Sequence, residues 1–333
     1  MQKKLIALAV AGLVAAPAFA QSNVTVYGIA DVGVGYGKAG DTTFTGVVDG
    51  ILSGPRLGFK GSEDLGNGLS AVFVLEQGYS VGTGAPSSTK QFHRQAWAGL
   101  KGSFGTVGLG RQYAPGYNYT AKFDVVSAGA VDPQAILGGA AGMSITPGSA
   151  ARWDNSVTYN LGNMGGVMAE VIYSFQASQA GDDRTDDDKM GVGAGYMAGP
   201  IGVGFVFHKL NGASEDTKEY YIAGSYDLGV VKLAGSYQVK DLDDNKDKLA
   251  YFGGIIPVGK GNVHVALGAL NPEGDDNNSR SFSVGYTHGL SKRTTGYVAV
   301  NRTTNDDGAA VGVLAKEAGE GSTAVAAGFR HAF

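Results

Sequence analysis

Hydrophobic and polar residues alternate one by one along most of the chain. Within residues 167–176, apolar and aromatic residues occupy the odd positions, while Glu170, Ser174 and Gln176 occupy even ones. No segment carries a sustained apolar pattern with helical spacing. Because a strand places alternate side chains on opposite faces, the sequence predicts an all-β protein. The same period of two recurs in residues 23–36, 68–79, 201–208, 281–287 and 324–333.

The connections between the predicted strands alternate in length. Seven short turns are predicted at residues 64–67, 101–104, 161–165, 198–201, 227–229, 257–261 and 289–292. Eight longer polar connections are predicted at residues 37–52, 79–90, 112–151, 177–188, 210–217, 240–246, 271–279 and 303–322. A soluble sandwich also hides one face, but alternation of turns and long loops is typical of barrels with periplasmic turns and extracellular loops. Because an even strand number brings the last strand beside the first, the sequence predicts a closed 16-stranded antiparallel transmembrane β-barrel.

One connection is much longer than the others. Residues 112–151 form a 40-residue segment that is rich in small residues and includes Val125, Val126, Ile136 and Leu137. A loop of this length is usually functional or disordered, and its apolar content argues against disorder. A 16-stranded barrel is too wide for side chains to fill its interior. We therefore expect this third long loop to fold into the lumen and narrow it.

The N-terminal residues have the features of an export signal. Lys3 and Lys4 precede an apolar run over residues 5–16, and Ala18-Phe19-Ala20 matches an A-x-A cleavage site. The apolar run is too short to cross a bilayer as a helix, which needs about 20 residues. We therefore predict a signal peptide at residues 1–20 and a mature barrel domain at residues 21–333.

Composition limits the remaining function classes. The 55 glycines are more than twice the average usage of about 7% and fit a strand-rich, turn-rich chain. Removing the two lysines of the signal leaves 24 basic against 30 acidic residues, a net charge of −6 that does not favour nucleic acid. The chain has no cysteine, and its five histidines fall in separate predicted strands without metal-ligand spacing. No cofactor or metal is predicted.

Four ordered blocks occur along the chain: PRLGFKGSEDLGNGL at residues 55–69, GSFGTVGLGRQ at 102–112, DNSVTY at 154–159 and GFRHAF at 328–333. They resemble blocks of the trimeric general diffusion porins of β-proteobacteria. The first is similar to the family pattern R-x-G-x-K-G-x-E-D-L-G-x-G-L, the next two flank the long loop, and the last is similar to the family's terminal strand. The resemblance covers essentially the whole mature chain.

The resemblance implies an outer-membrane homotrimer that forms a water-filled channel for passive diffusion of small hydrophilic solutes and ions. It also implies recognition of the terminal Phe333 by the outer-membrane assembly machinery, and contact with outer-membrane lipid and lipopolysaccharide. Acidic loop residues 182–183 and 186–188 are interpreted as solvated, with divalent bridging to lipopolysaccharide left open. The resemblance further implies a transverse field, with basic wall residues facing acids on the inward loop.

The predicted constriction residues follow from motif position and side-chain alternation. Arg56 and Lys60 lie opposite the lipid-facing Leu57 and Phe59, and Arg94 is interpreted as lying opposite a lipid-facing Trp97. Arg152 precedes the third block and shares a face with Asp154, away from Val157 and Tyr159, and is a weaker candidate. Arg111 shares its face with outward Leu109 and is included because it ends a strand. The predicted wall set is Arg56, Lys60, Arg94, Arg111 and Arg152, and the predicted loop acids are Asp124 and Asp132.

Basic rings in a pore favour anions, so the excess of arginines over loop acids predicts a weak anion preference. The alternative is a channel specific for a sugar or an organic anion, for which Tyr113, Tyr117 and Tyr119 are the clustered aromatic candidates. An outer-membrane hydrolase would need Ser, His and an acid that converge, and no nucleophile motif supports it. An adhesin or receptor fits the modest loop lengths poorly. The sequence therefore predicts a channel and no enzyme.

Overall fold

The computed structural model describes residues 23–126, 129–175, 187–212, 215–242 and 245–333. The predicted signal peptide at residues 1–20 lies outside the described residues. The strands are β1 Asn23–Ala39, β2 Thr42–Asp49, β3 Arg56–Gly66, β4 Leu69–Gly78, β5 Gln95–Gly102, β6 Gly105–Tyr113, β7 Arg152–Met164, β8 Val167–Ser174, β9 Lys189–Ala198, β10 Ile201–Leu210, β11 Thr217–Asp227, β12 Lys232–Leu242, β13 Asn245–Val258, β14 Gly261–Asn271, β15 Ser279–Gly289, β16 Thr294–Asn305 and β17 Ser322–Ala332.

The strands form one closed antiparallel sheet. Consecutive strands pair with each other except β2 and β3, which both pair with β1, and β17 pairs with β1. The closing seam ends on Gly28 and Phe333, which exchange two backbone hydrogen bonds of 3.1 Å. Both β2 and β3 pair with the same edge of β1, so they are two pieces of a single strand. The prediction of a closed 16-stranded β-barrel is confirmed.

The prediction of a first long loop at residues 37–52 is wrong. The chain turns at residues 40–41, and β2 then runs back along β1. The irregular stretch lies later, at residues 50–55, where it interrupts the second strand. Asp31 holds this stretch, because its Oδ2 accepts hydrogen bonds from the backbone N–H groups of Leu52 at 2.9 Å and Ser53 at 2.7 Å. The local sequence did not indicate that a distant carboxylate would satisfy this backbone.

The alternation of side chains gives the barrel two different faces. On β10 and β11, Phe205 and Ile222 are 45% and 61% exposed, whereas their neighbours Val206 and Tyr221 are at most 1% exposed. The outward side chains of the strands include most of the exposed large hydrophobic residues, and the buried face carries polar residues such as Ser281, Ser283 and Asn301. This is the distribution that a strand between hydrocarbon and an aqueous lumen requires.

The two ends of the barrel differ in their connections. At one end every connection between strands has two to four residues, as at residues 67–68, 165–166 and 290–293. At the other end the connections reach the lengths of residues 79–94, 114–151 and 306–321. Short periplasmic turns and longer extracellular loops are the rule for outer-membrane barrels, which orients this one.

The longest connection contains helix α1 (Pro115–Phe123), helix α2 (Pro133–Ala140) and a short 3-10 helix (Ser149–Ala151). In the described part of the chain, neither α-helix is long and apolar enough to cross a membrane. Tyr119 and Phe123 of α1 pack with Val206 and Tyr221, while α2 packs against β13, β14 and β15. The strand residues that these helices contact belong to the buried face, so the connection packs on the inner side of the sheet.

Candidate functional site

Three of the predicted wall residues line one cavity. Arg56, Arg94 and Arg152 face a space of about 230 Å³ between the strands and the long connection. Tyr117 of α1 lines the same space. From farther along the connection, Gly129, Ala130, Pro147 and Gly148 also line the space. The irregular stretch between β2 and β3 supplies the rest of the lining through Gly50, Leu52, Ser53 and Gly54. The arginines come from segments far apart in sequence, and the barrel brings them together.

Glu76 on β4 is the acid beside these arginines. Its Oε1 lies 2.7 Å from Nε of Arg94 and 3.8 Å from Nη1 of Arg56, and its Oε2 accepts a hydrogen bond of 2.9 Å from Tyr27. Glu76 was not among the predicted site residues, because the predicted acids lie on the long loop. The available signal was its place on the inward face of the strand next to Arg56.

Two tyrosines form a flat surface next to the arginines. The rings of Tyr113 and Tyr117 stack with centroids 3.9 Å apart and planes within 8°. The guanidinium carbon of Arg152 lies 4.9 Å from the Tyr113 centroid and 5.4 Å from that of Tyr117. Such a cation–π arrangement fixes the arginine over the rings. Tyr119, the third tyrosine of the predicted aromatic group, is instead buried with Phe123.

The alternation assigned to β5 was wrong. Ala98 and Leu100 pair with the outward Leu109 and Val107 of β6, so they face outward, and Trp97 faces inward. Arg94 precedes β5 and therefore lies outside its alternation. Its backbone N–H donates to the carbonyl oxygen of Glu76 at 3.2 Å, and the bend at this point directs its side chain to the cavity.

A bulge also breaks the alternation at the start of β7. Asn155 has a φ of +46°, and the pairing of β6 with β7 shifts register between Gly110 and Gln112. Trp153 is consequently buried at 1% exposure and packs with the inward Ile172. Because of this bulge, the predicted shared face of Arg152 and Asp154 is wrong.

The structure places two predicted wall residues away from the arginine cavity. Arg111 pairs with Asp154 at 2.7 Å, and Asp154 in turn pairs with Lys90 at 2.6 Å. Lys60 is exposed, with its ammonium group 5.2 Å from the ring centroid of Tyr27. Neither residue lines the cavity.

The two predicted loop acids lie beside the opposite part of the wall. Asp124 Oδ1 accepts hydrogen bonds from Val126 N at 2.6 Å and from Tyr251 Oη at 3.2 Å. Asp132 is fully buried and caps α2, accepting from the backbone N–H groups of Gln134 and Ala135 at 3.1 and 3.0 Å. Burial, followed by the nearby Asp124, raises the pKa of Asp132 well above its usual value. The structure does not bring either acid to the arginines.

Arg330 is a further basic residue that the sequence analysis did not select. Its Nε donates to Ser53 Oγ at 3.0 Å, and Ser53 lines the arginine cavity. The signal was present, since Arg330 alternates with the outward Phe329 in the terminal block.

Ser144 of the long connection meets His208 of β10 and Glu219 of β11, but the three residues lack the geometry of a hydrolase. Ser144 Oγ lies 2.8 Å from His208 Nδ1, while His208 Nε2 accepts the backbone N–H of Gly116 at 3.1 Å. Glu219 accepts the backbone N–H groups of Ser144 and Ile145 at 2.7 and 2.9 Å. In a triad, the acid orients the histidine and the serine faces a substrate. Here all three side chains are at most 4% exposed, and the contacts fasten the loop.

Comparison with known proteins agrees with this architecture. The sequence profile of the Gram-negative porin family matches residues 7–308. The chain is 34% identical to outer membrane porin protein 32 of Delftia acidovorans and 31% identical to an outer membrane porin protein of Bordetella pertussis, with all of each chain covered. The solved anion-selective porin from Comamonas acidovorans is 31% identical and superposes with a TM-score of 0.81 over 94% of this chain and 100% of that one.

A closed sheet with an apolar outer face and a charged inner cavity defines a β-barrel channel of the outer membrane. The chain belongs to the Gram-negative porin family. It crosses the outer membrane many times with its strands and forms a water-filled channel for passive diffusion of small hydrophilic solutes and ions.

Proposed function

We propose that this porin passes small anions in preference to cations. The observation that carries the proposal is the charge of the cavity, which Arg56, Arg94 and Arg152 line. Among the described residues, Glu76 supplies the one carboxylate within 4.0 Å of these guanidinium groups, through its contacts with Arg56 and Arg94. Basic groups along a pore replace part of the hydration that an anion loses on entry and raise the energy of a cation there. The similarity to an anion-selective porin supports the same preference.

Each residue of the cavity has a role in this proposal. Glu76 orients Arg94 through its 2.7 Å contact and neutralises part of the positive charge, so anions are attracted without being trapped. Arg152 is oriented by the stacked tyrosines and offers N–H donors to a passing anion. The loop residues that line the cavity with the arginines, Gly129, Ala130, Pro147 and Gly148, then set the width of the passage.

Replacement of Arg56 by glutamate tests the proposal. The substitution changes the charge of the cavity by two units. We expect the free-energy difference between chloride and potassium in the pore to shift by about 1 kcal/mol against chloride, which lowers the chloride-to-potassium permeability ratio about fivefold. The measurement is the reversal potential of the purified protein in a planar bilayer under a KCl gradient. Lys260→Glu makes the same charge change in a short turn at the periplasmic end of the barrel, and it should leave the permeability ratio unchanged. A reversal potential that does not move in Arg56→Glu would remove the assignment.

A preference for organic anions is the second candidate. It is favoured by the stacked Tyr113 and Tyr117 beside Arg152, which offer a flat apolar surface next to a carboxylate-binding group. We expect an aromatic carboxylate to block the KCl current at lower concentration than a neutral sugar, and Tyr117→Ala to remove the difference. Equal block by both solutes would leave only general diffusion, and stronger block by the sugar would favour a sugar channel.

The remaining assignments extend the same proposal. The signal peptide at residues 1–20 is removed, the mature chain assembles as a homotrimer in contact with lipid and lipopolysaccharide, and it acts as a channel without enzymatic activity. The assembly machinery recognises Phe333, whose ring is 46% exposed at the closing seam. We expect mature protein to begin at Gln21, cross-linking to yield a trimer, and deletion of Phe333 to lower the amount assembled. N-terminal sequencing, chemical cross-linking and quantitation of heat-modifiable protein in outer membranes check the three points.

A further inference from the structure

The outer face of the barrel carries a groove with both apolar and basic residues. It has a volume of about 390 Å³ and lies across β13, β14, β15 and β16. Phe252, Leu267 and Phe282 supply apolar side chains, and Arg280 and Arg302 supply guanidinium groups. The three apolar side chains are between 42% and 54% exposed, as expected for the lipid-facing side.

The strand register makes these residues direct neighbours. Phe252 pairs with Leu267, Leu267 with Phe282, and Phe282 with Arg302, which forms one row across four strands. Arg280 lies in the adjacent row, between Ala269 and Thr304. Directly opposed side chains on one face of a sheet are about 5 Å apart at Cβ. The basic and apolar parts therefore form one continuous surface.

The two arginines are available to an external partner. Both are exposed, and among the described residues we find no carboxylate oxygen within 4.0 Å of either guanidinium group. Arg302 is positioned by a hydrogen bond of 2.7 Å from Nη1 to Thr323 Oγ1. A charged side chain on the lipid-facing surface is costly near the middle of the bilayer and is tolerated near the interface. An anion at that level would compensate the charge.

The position of the groove selects the membrane leaflet. Arg280 lies near the start of β15, after the connection at residues 272–278, and Arg302 lies near the end of β16, before the connection at residues 306–321. Both connections are at the end of the barrel with the long loops, which is the extracellular end. The guanidinium groups therefore lie near the headgroups of the outer leaflet, with the apolar row directed toward its acyl chains.

We propose that this groove is a binding site for lipopolysaccharide, with the phosphate groups of its lipid A on Arg280 and Arg302 and one acyl chain along Phe252, Leu267 and Phe282. The inference rests on the outer-membrane location and names a site for the lipid contact proposed above. Guanidinium groups bind phosphate through paired N–H donors, and a phosphate monoester carries more charge than the diester of a phospholipid. Two neighbouring cations beside an apolar row thus fit a lipid that carries both phosphate groups and several acyl chains.

The test compares two charge reversals on the same pair of strands. In Arg280→Glu/Arg302→Glu the basic groups at the extracellular end are lost, and in Lys292→Glu/Arg293→Glu an equal charge change is made in the turn at the periplasmic end. Both variants and the parent are extracted from outer membranes in mild detergent, and lipopolysaccharide is quantified per barrel by native mass spectrometry. We expect at least about a fivefold loss in the first variant and the parental amount in the second. Parental retention in the first variant, or equal loss in both, would overturn the proposal.

Reconstitution distinguishes the lipid source. The delipidated parent is mixed with bisphosphoryl lipid A, dephosphorylated lipid A or phosphatidylglycerol, and bound lipid is counted. We expect binding of the bisphosphoryl form, at least about tenfold weaker binding of the dephosphorylated form, and no competition by phosphatidylglycerol. Equal binding of phosphatidylglycerol would contradict the assignment to lipopolysaccharide.

Single-channel conductance is recorded on the same preparations. If the Arg280→Glu/Arg302→Glu variant keeps both the conductance and the bound lipopolysaccharide of the parent, the porin function stands and only the lipid site is contradicted. Loss of conductance in the parent would instead contradict the channel itself.

Discussion

The inner face of the barrel meets the long connection in two different ways. Near β3 to β7 the strands and the connection enclose a cavity lined by Arg56, Arg94 and Arg152, and the guanidinium groups face open space. Near β10 to β15 the polar wall residues are engaged by the connection itself. There Glu219 binds two backbone N–H groups, His264 Nδ1 lies 2.7 Å from the carbonyl oxygen of Val125, and Ser283 donates to that of Val131.

The difference shows that an inward polar residue has one of two uses. A backbone segment inside a barrel leaves N–H and C=O groups that cannot pair in a sheet, and each buried group requires a partner. The far wall supplies those partners, so its polar groups are engaged in hydrogen bonds with the connection. Among the described residues, the guanidinium groups of Arg56, Arg94 and Arg152 make no hydrogen bond to the connection, so we propose that they act on solutes. Charge on the far wall should therefore affect stability, and charge on the near wall should affect selectivity.

The largest expected effect is on the far wall. Glu219→Ala leaves the N–H groups of Ser144 and Ile145 without their carboxylate, and we expect the free energy of unfolding to fall by about 3 kcal/mol, about 1.5 kcal/mol for each charge-assisted hydrogen bond. Urea titration of the folded barrel in lipid vesicles measures this, and single-channel recordings should show new fluctuations as the connection loosens. Glu63→Ala, at an exposed position on β3, is the control and should change neither property. A loss below about 1 kcal/mol in the Glu219 variant would contradict the fastening role.

A smaller effect is expected at the loop acid Asp132. Asp132→Ala removes the cap of α2 and should lower the free energy of unfolding by about 1 kcal/mol, whereas Asp132→Asn keeps a good capping group and should cost less. Because the carboxyl is buried away from the arginines, we expect neither variant to change the reversal potential under a KCl gradient. If the reversal potential of Asp132→Asn shifts toward anion preference, this acid lies in the ion path, and the two walls do not differ in the way described.

The smallest expected effect is on the near wall, at Glu76. Glu76→Gln keeps an oxygen for Arg94 but removes the negative charge, and we expect anion preference to rise about twofold, equivalent to about 0.4 kcal/mol. The same bilayer measurement reports it. Glu170→Gln, an inward acid on β8 that accepts hydrogen bonds from Asn118, tests whether any lumen acid has this effect. An equal rise in both variants would show that the arginine cavity is not the selective region.

The sequence was most informative where the strands are regular. On β8, β10 and β15, alternation identified the lipid-facing side correctly, because a regular strand turns each successive side chain to the opposite face. Alternation assigned the wrong face to Trp97 and Asp154. The chain enters β5 through a bend and β7 through a bulge, and the alternation of faces does not continue across either irregularity. Arg94 and Arg152 are adjacent to these irregular points, so their position in the cavity did not follow from counting.

The acids of the site show a second limit. The predicted acids, Asp124 and Asp132, lie on the loop, and the structure places them beside Tyr251 and at the N-cap of α2. The acid beside the arginines is Glu76, on the strand next to Arg56. Alternation states which face Glu76 occupies, but only the pairing of strands states which basic residues lie within its reach.

The amino-acid pattern was enough to establish a closed barrel with an apolar outside and a polar inside, because burial in lipid and the period of a strand act on each residue locally. Which polar residues bind the inner connection, and which remain open to solutes, emerged only from the folded barrel. That division depends on where the connection lies across the lumen. Its path is set by contacts between residues more than a hundred positions apart, such as Val125 with Tyr251 and His264.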